Sequence, residues 1–179
     1  MAHRTLTGVL LVGGASARFG SPKALARVGH ETLAERGWHL LADACDERLA
    51  FGKRGELELP FEVRDDDANV RAPIAGVVAG LRAAANDVVV FLPVDCLHMT
   101  RDALRALGDA CRDAAVTREG PLPGAWAKSA LPVLERRLAQ GRFALVDAYT
   151  ELDIAVAELE PSLVADADTP EELARLLER

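Results

Sequence analysis

The sequence predicts an α/β fold with a mostly parallel sheet covered by helices on both faces, and three observations carry that expectation. Asp87-Val88-Val89-Val90-Phe91-Leu92 is β-branched and apolar without polar alternation, the pattern of a strand buried on both sides in the middle of a sheet. Thr5–Val12 is a second apolar run, ended by Gly13-Gly14. Strand-like and helix-like segments then alternate from end to end with no repeat, linker or low-complexity stretch between them.

Taken in order, the first strand leads into a Gly-rich loop, after which Thr32 and Glu35 form a capping box. Leu33, Gly37, Leu40, Leu41 and Ala44 follow at the spacing of one helix face. Arg48–Phe51 and Phe61–Arg64 are short strand candidates, and Pro73 opens a helix carrying Ile74, Val77, Val78 and Leu81. Past the central strand, Thr100 caps a helix with Leu104, Leu107 and Cys111 on one face, and Ala114–Thr117 reads as a strand. Glu119-Gly120-Pro121 is a turn, Gly124–Lys128 a further strand, Leu131–Gln140 a helix and Phe143–Thr150 a short helix. The last helix is the best specified: Thr169 is its cap, Pro170 its first residue and Glu172 closes the box, with Leu173, Leu176 and Leu177 facing inward.

Composition narrows the function. The 179 residues fit one domain, 1–179, at a prior of ~150 residues per domain. The chain is 50% hydrophobic and 27% charged, which excludes disordered and collagen-like classes. With 21 Lys and Arg against 28 Asp and Glu, a net charge of −7 denies a nucleic-acid backbone its broad attraction, so any phosphate must be met locally. At 4% aromatic residues the chain also has few platforms for stacking bases. No apolar run approaches the ~18 residues of a membrane span, and Met1-Ala2-His3-Arg4 lacks a signal-peptide profile. Cys45, Cys96 and Cys111 are odd in number and without CxxC spacing, which fits buried reduced thiols and a cytoplasmic location.

Ligands of such sheets bind at the carboxyl ends of the strands. Three segments converge there: the loop Gly13–Lys23, the strand end Pro93-Val94-Asp95, and the turn Val164–Asp168. In the first, Gly13, Gly14, Ser16 and Gly20 let backbone N–H groups approach an anion, and Arg18 and Lys23 add positive charge. The spacing is neither GxGxxG nor GxxxxGK[ST], and by itself the run also suits a solvated connection. Lys23 is one of three lysines (with Lys53 and Lys128) among eighteen arginines, so a compact ammonium at this place carries weight. Asp95 ends the most buried strand, where a carboxylate needs a cation or backbone donors. With Asp166 or Asp168 it offers the oxygen ligands that Mg²⁺ takes, though a turn-forming role is the simpler alternative. Asp65-Asp66-Asp67 reads first as a solvated charge run; a member that acts would suit two N–H groups of a guanine edge. Ser16 and His98 belong to no recognisable Ser/His/Asp set.

These residues also form a pattern. Val12-Gly13-Gly14-Ala15-Ser16-Ala17-Arg18-Phe19-Gly20-Ser21-Pro22-Lys23-Ala24-Leu25 resembles the signature L-A-G-G-x-S-x-R-M-G-x-x-K-x-L of the molybdenum-cofactor guanylyltransferases, within the MobA-like nucleotidyltransferase superfamily. Asp65 ahead of Pro73-Ile74-Ala75-Gly76, the Asp95 strand end, and Asp166-Ala167-Asp168-Thr169-Pro170-Glu171-Glu172-Leu173 resemble further blocks in the same order. The resemblance implies a Rossmann-like three-layer fold of the nucleotide-diphospho-sugar transferase type. It implies transfer of GMP from GTP to the phosphate of molybdopterin, with Mg²⁺ as cofactor and transient contact with other proteins of that pathway. On that resemblance Val12, Gly13, Gly14 and Ser16 hold the nucleotide, and Arg18 and Lys23 its phosphates. Asp65 meets the guanosine, Asp95 and Asp166 the metal, and Arg142 the acceptor phosphate. Two departures leave CTP, or a sugar or alcohol phosphate acceptor, open: Asp95-Cys96-Leu97 lacks the usual proline, and Gly52-Lys53 lacks a frequent asparagine. A nucleotide-binding module without catalysis is the third reading.

Overall fold

The computed structural model describes residues 4–13, 19, 22–53, 55 and 57–178. Strand β1 (Leu6–Leu11) is followed by a two-residue hairpin of β2 (Arg27–Val28) and β3 (Glu31–Thr32), then helix α1 (Leu33–Ala44) and β4 (Glu47–Gly52). β5 (Arg64–Asp65), α2 (Pro73–Ala83), β6 (Val88–Pro93) and α3 (Arg101–Ala110) come next. β7 (Ala114–Val116), β8 (Gly124–Ala127), α4 (Leu131–Ala139), β9 (Ile154–Val156), α5 (Pro161–Val164) and α6 (Pro170–Leu177) complete the order. Seven strands form one sheet in the order β5-β4-β1-β6-β8-β7-β9. Only β8 runs against its neighbours, so the sheet is mostly parallel and of the kind the sequence predicts.

Side-chain alternation along β1 explains the two layers of helices. Leu6 and Leu10 belong to the core under α1 and α3, with Leu41, Leu104 and Leu107. Val9 belongs to the opposite core, with Ile74, Val77 and Leu81 of α2, Phe91, Trp126 and Leu134 of α4. A third, smaller cluster joins Phe19, Leu33, Leu97, Ala167, Leu173 and Leu176, and fastens α6 to the loops at the carboxyl edge. No helix among the described residues is long and apolar enough to cross a membrane. Cys96 and Cys111 are buried, Cys45 is half-buried, and all three are free thiols.

Several expectations needed adjustment. Of Phe61–Arg64 only Arg64 enters a ladder, because Phe61 packs instead on Trp38 at a ring separation of 4.3 Å, with the Arg48 guanidinium 4.4 Å over Trp38. Phe143–Thr150 becomes a 3-10 turn at Leu145–Glu151, pinned by buried Arg137, whose guanidinium donates to Glu151 and to the Asp147 carbonyl. Leu177 is 47% exposed, since Leu173 and Leu176 already fill the inward face of the short α6. The small β2–β3 hairpin, β9 and α5 have too few residues to show a period.

Candidate active site

Chain order sets where the site lies. From β1 the chain crosses to β4 on one side and later returns to β6 on the other, so a crevice opens at the carboxyl ends of these three strands. A cavity of about 310 Å³ occupies it, walled by Leu11, Val12 and Gly13 after β1, Phe51, Gly52 and Lys53 at β4, and Pro93, Val94 and Asp95 at β6. The backbone there is drawn tight: Val12 N–H donates to the Phe51 carbonyl at 3.0 Å, and Val94 N–H to the Leu11 carbonyl at 3.3 Å. A Cβ on Gly13 would lie 3.3 Å from the Gly52 Cα, and one on Gly52 would lie 2.8 Å from a Val12 methyl. Glycine at both positions therefore permits the two strand ends to meet.

Lys23 begins a 3-10 turn, Lys23–Leu25, that Pro22 introduces and buried Ala24 anchors. Its ammonium donates to Asp95 Oδ2 at 2.8 Å and to Asp168 Oδ1 at 2.9 Å. Burial works against the charge on Lys23, but the hydrogen bonds and charges of the two carboxylates outweigh it and hold the ammonium above its ordinary range. Asp168 is aimed by the start of α6: Glu172 accepts the backbone N–H of Asp168 at 2.7 Å and of Thr169 at 3.1 Å, while Glu172 N–H returns to Thr169 Oγ1. On the other side of the site, His98 Nε2 meets the Leu176 carbonyl at 2.8 Å, so the turn after Asp95 is tied to the same helix. A carbonyl only accepts, so Nε2 is the protonated nitrogen.

Carboxylate oxygens of Asp95, Asp166 and Asp168 lie within 4.8 Å of one another. An all-oxygen set fits Mg²⁺ or Mn²⁺ and suits soft metals poorly. Lys23 bridges Asp95 and Asp168, and Asp166 stands beside that bridge. Cys96, next to Asp95, is not part of that cluster, and burial first and the neighbouring carboxylates second push its thiol above its ordinary value.

The expected residues separate into groups. Val12, Gly13, Lys23 and Asp95 share the cavity wall, and Asp166 joins Asp95 at its mouth. Gly14, Ser16 and Arg18 lie outside the described residues. Asp65 sits on β5 opposite Gly52 and accepts the N–H of Asp67; the wall position belongs to its neighbour Asp66. Arg142 is exposed and is not among the cavity-lining residues described. Its backbone N–H closes the end of α4 on the Arg137 carbonyl at 2.9 Å, with Gly141 bonding Leu138, a Schellman ending. Sequence reasoning weighed two further residues without assigning either a place in the site. Lys53 and Asp66 form a second ion pair on the wall, with side chains 19% and 11% exposed. Their thirteen-residue separation matches no motif; the sequence marked Lys53 by the scarcity of lysine and by the asparagine the family often has there, and Asp66 as one of three adjacent aspartates.

A doubly covered sheet whose parallel strands open on a cavity walled by the ammonium groups of Lys23 and Lys53 and the carboxylates of Asp66, Asp95 and Asp168, with Asp166 beside them, is the build of a nucleotide-handling α/β protein. More narrowly, the chain belongs to the MobA-like NTP transferase domain family, which it matches over residues 8–153. It is 35% identical to a probable molybdenum cofactor guanylyltransferase of Deinococcus radiodurans over 96% of this chain and 93% of that protein. A protein of the same description from Opitutus terrae is 33% identical, over 95% and 94%. Among solved structures, molybdopterin-guanine dinucleotide biosynthesis protein A of Archaeoglobus fulgidus superposes with a TM-score of 0.80, 22% identity and coverage of 96% and 97%. The 2-C-methyl-D-erythritol 4-phosphate cytidylyltransferase of Thermus thermophilus gives 0.73, 19%, 95% and 96%. At such identities the superpositions speak for the fold alone.

Proposed function

We propose that the protein transfers GMP from GTP to the phosphate of molybdopterin and releases pyrophosphate, in the cytoplasm, with Mg²⁺ as its metal. The observation that carries this reading is the ammonium of Lys23 held between Asp95 and Asp168 at the mouth of a cavity at the strand ends. The relatives named for that activity supply the substrates.

In the reaction an oxygen of the acceptor phosphate forms a bond to the α-phosphorus of GTP in line with the bond that breaks to the β-phosphate, and pyrophosphate leaves with that bridging oxygen. The attacking phosphate is already ionised near neutral pH, so no side chain need act as nucleophile; positioning and charge stabilisation do the work. Val12, Gly13, Gly14 and Ser16 would hold the nucleotide through the loop, and Arg18 the leaving phosphates. Lys23, poised beside the reacting group, stabilises charge on the α-phosphate oxygens as the bonds exchange. Asp95 and Asp166 would hold the Mg²⁺, which supplies charge neutralisation on the triphosphate oxygens. Asp65 is assigned to the guanosine and Arg142 to the acceptor phosphate.

The test is pyrophosphate release by the whole chain with Mg²⁺, each of the four nucleoside triphosphates, and molybdopterin or a sugar phosphate. Release confined to GTP with molybdopterin is expected. Release with CTP, or with the sugar phosphate alone, would transfer the reading to those substrates, and none under any pairing would end the catalytic assignment.

A further inference from the structure

We infer that Lys23 is the resident counter-cation of the carboxylate cluster and exchanges with the divalent metal ion, so that metal binding turns its ammonium toward the nucleotide phosphates; the inference rests on the nucleotide-transfer reading above and concerns how that site is made ready. The ammonium donates to Asp95 Oδ2 at 2.8 Å and to Asp168 Oδ1 at 2.9 Å. Those residues are also two of the three whose carboxylate oxygens lie within 4.8 Å of one another. Ammonium and metal thus draw on one small set of oxygens. Each meets the other as a like charge in a part-buried place, where screening is weak.

Burial makes this an exchange and not a simple departure. The side chains of Lys23 and Asp95 are 14% and 17% exposed, whereas that of Asp168 is 49% exposed. Water can take over the bond between Lys23 and Asp168, but a carboxylate as enclosed as Asp95 needs a cation beside it. Lys23 therefore leaves Asp95 when another cation arrives there, and that cation is held most firmly once Lys23 has left.

The moving part is the lysine stem. Asp95 stands in a turn closed by Cys96 N–H on the Pro93 carbonyl at 3.3 Å and by Leu97 N–H on the Asp95 carbonyl at 3.0 Å. Asp168 is fixed by the capping box of α6, where Glu172 accepts its backbone N–H. The backbone of Lys23 is held by buried Ala24 and by Ala26 N–H, which donates to the Lys23 carbonyl at 2.9 Å. A flexible four-carbon stem carries the ammonium beyond that fixed backbone and lets it swing between neighbouring acceptors. Lys23, Asp95 and Asp168 all line the cavity of about 310 Å³, so the released ammonium stays within reach of phosphates bound there.

The test is binding of Mn²⁺ alone, without nucleotide, to the full chain by calorimetry, in the wild type and in Lys23→Met. The variant is expected to bind Mn²⁺ at least ~10-fold more tightly than the wild type, the scale on which one neighbouring charge moves such an equilibrium. Equal or weaker binding overturns the inference. A second measurement needs no variant to fold. The chain has three lysines, so the Nζ signals of isotope-labelled lysine can be followed separately by NMR while Mg²⁺ is added to the wild type. The Lys23 signal is expected to move with the metal while those of Lys53 and Lys128 stay in place, and a Lys23 signal fixed throughout the titration overturns the inference. A chain in which Mg²⁺ moves Lys23 but no nucleotide is transferred would keep this inference and remove the transfer reading; one that transfers GMP while Lys23 stays on its carboxylates would do the reverse.

Discussion

At Asp95 a carboxylate with a side chain 17% exposed is matched by an ammonium 14% exposed, so each charge depends on the other and on what binds beside them. Replacing Asp95 by alanine removes a carboxylate from the cavity mouth and leaves the apolar cores intact. Asp95→Ala is expected to lower kcat by at least ~100-fold, the scale of a lost charge-stabilising group, with an unchanged circular dichroism spectrum. A rate near that of the wild type would take Asp95 out of the chemistry. Asp166 stands beside the Lys23 bridge, and if it holds the metal as proposed, Asp166→Asn, which keeps one side-chain oxygen, should be milder than Asp166→Ala when Mn²⁺ binding is measured. In the proposed reaction Lys23 would serve the transition state, where charge on the transferred group is redistributed. Lys23→Ala should accordingly reduce kcat more than it raises the KM for GTP in steady-state assays. A change in neither constant would reduce the loop to a connection.

Helices α2 and α6 place the site, and each depends on a local contact. Asp168 is oriented by the capping box of α6, in which Glu172 accepts two backbone N–H groups. Glu172→Ala should cost about 1 kcal/mol of stability, typical of a lost cap, and should also weaken GTP binding because Asp168 loses its direction. Urea unfolding paired with nucleotide titration separates the two effects, and an altered midpoint with unaltered binding would show that the box is only structural. On α2, a Cβ at Gly80 would lie 2.6 Å from Phe91 Cε1 and 3.1 Å from a Val9 methyl, both in the strands beneath. Alanine gains about 1 kcal/mol over glycine in a helix, whereas overpacking a core costs about 1–3 kcal/mol. Gly80→Ala should therefore lower the urea midpoint; a higher midpoint would mean that α2 can lift away from the sheet without loss.

Over the whole molecule, stability should be flat in the middle of the pH range and fall at both ends. Glu35 is held below its ordinary value of 4.5 by the Thr32 N–H, Glu151 by Arg137, and Glu158 by Arg118. A carboxylate lowered in the folded state adds stability above its unfolded value, and that stability is lost as pH falls through the folded one. The acid decline should then begin near pH 4.5 and deepen below it. Burial pushes the thiol of Cys45 from 9.0 up to about 12 and that of Cys111 up to about 11. Each buried thiol must then stay protonated to remain folded, so stability falls as pH rises above 9.0. Thermal unfolding across pH would check both edges, and a steep change near pH 7 would contradict them.

The sequence by itself determined the class of sheet, the strands β1, β4 and β6, the long helices with their caps, and the stations of Lys23, Asp95 and Asp166. Each of these is written in neighbouring residues: an apolar run such as Val88–Leu92 buries itself on both faces wherever it goes, and Thr169 with Glu172 caps a helix without distant help. Only the tertiary structure decided that Lys23 bonds Asp168 across 145 positions, that Lys53 finds Asp66, and that Asp66 takes the wall in place of Asp65. It also turned β8 against its neighbours and drew Phe61 onto Trp38 and out of the sheet. Those outcomes depend on which charges and rings meet once the strands are ordered. A charge run such as Asp65-Asp66-Asp67 has no period of its own to say which member faces the ligand, and the strand order β5-β4-β1-β6 is what chooses.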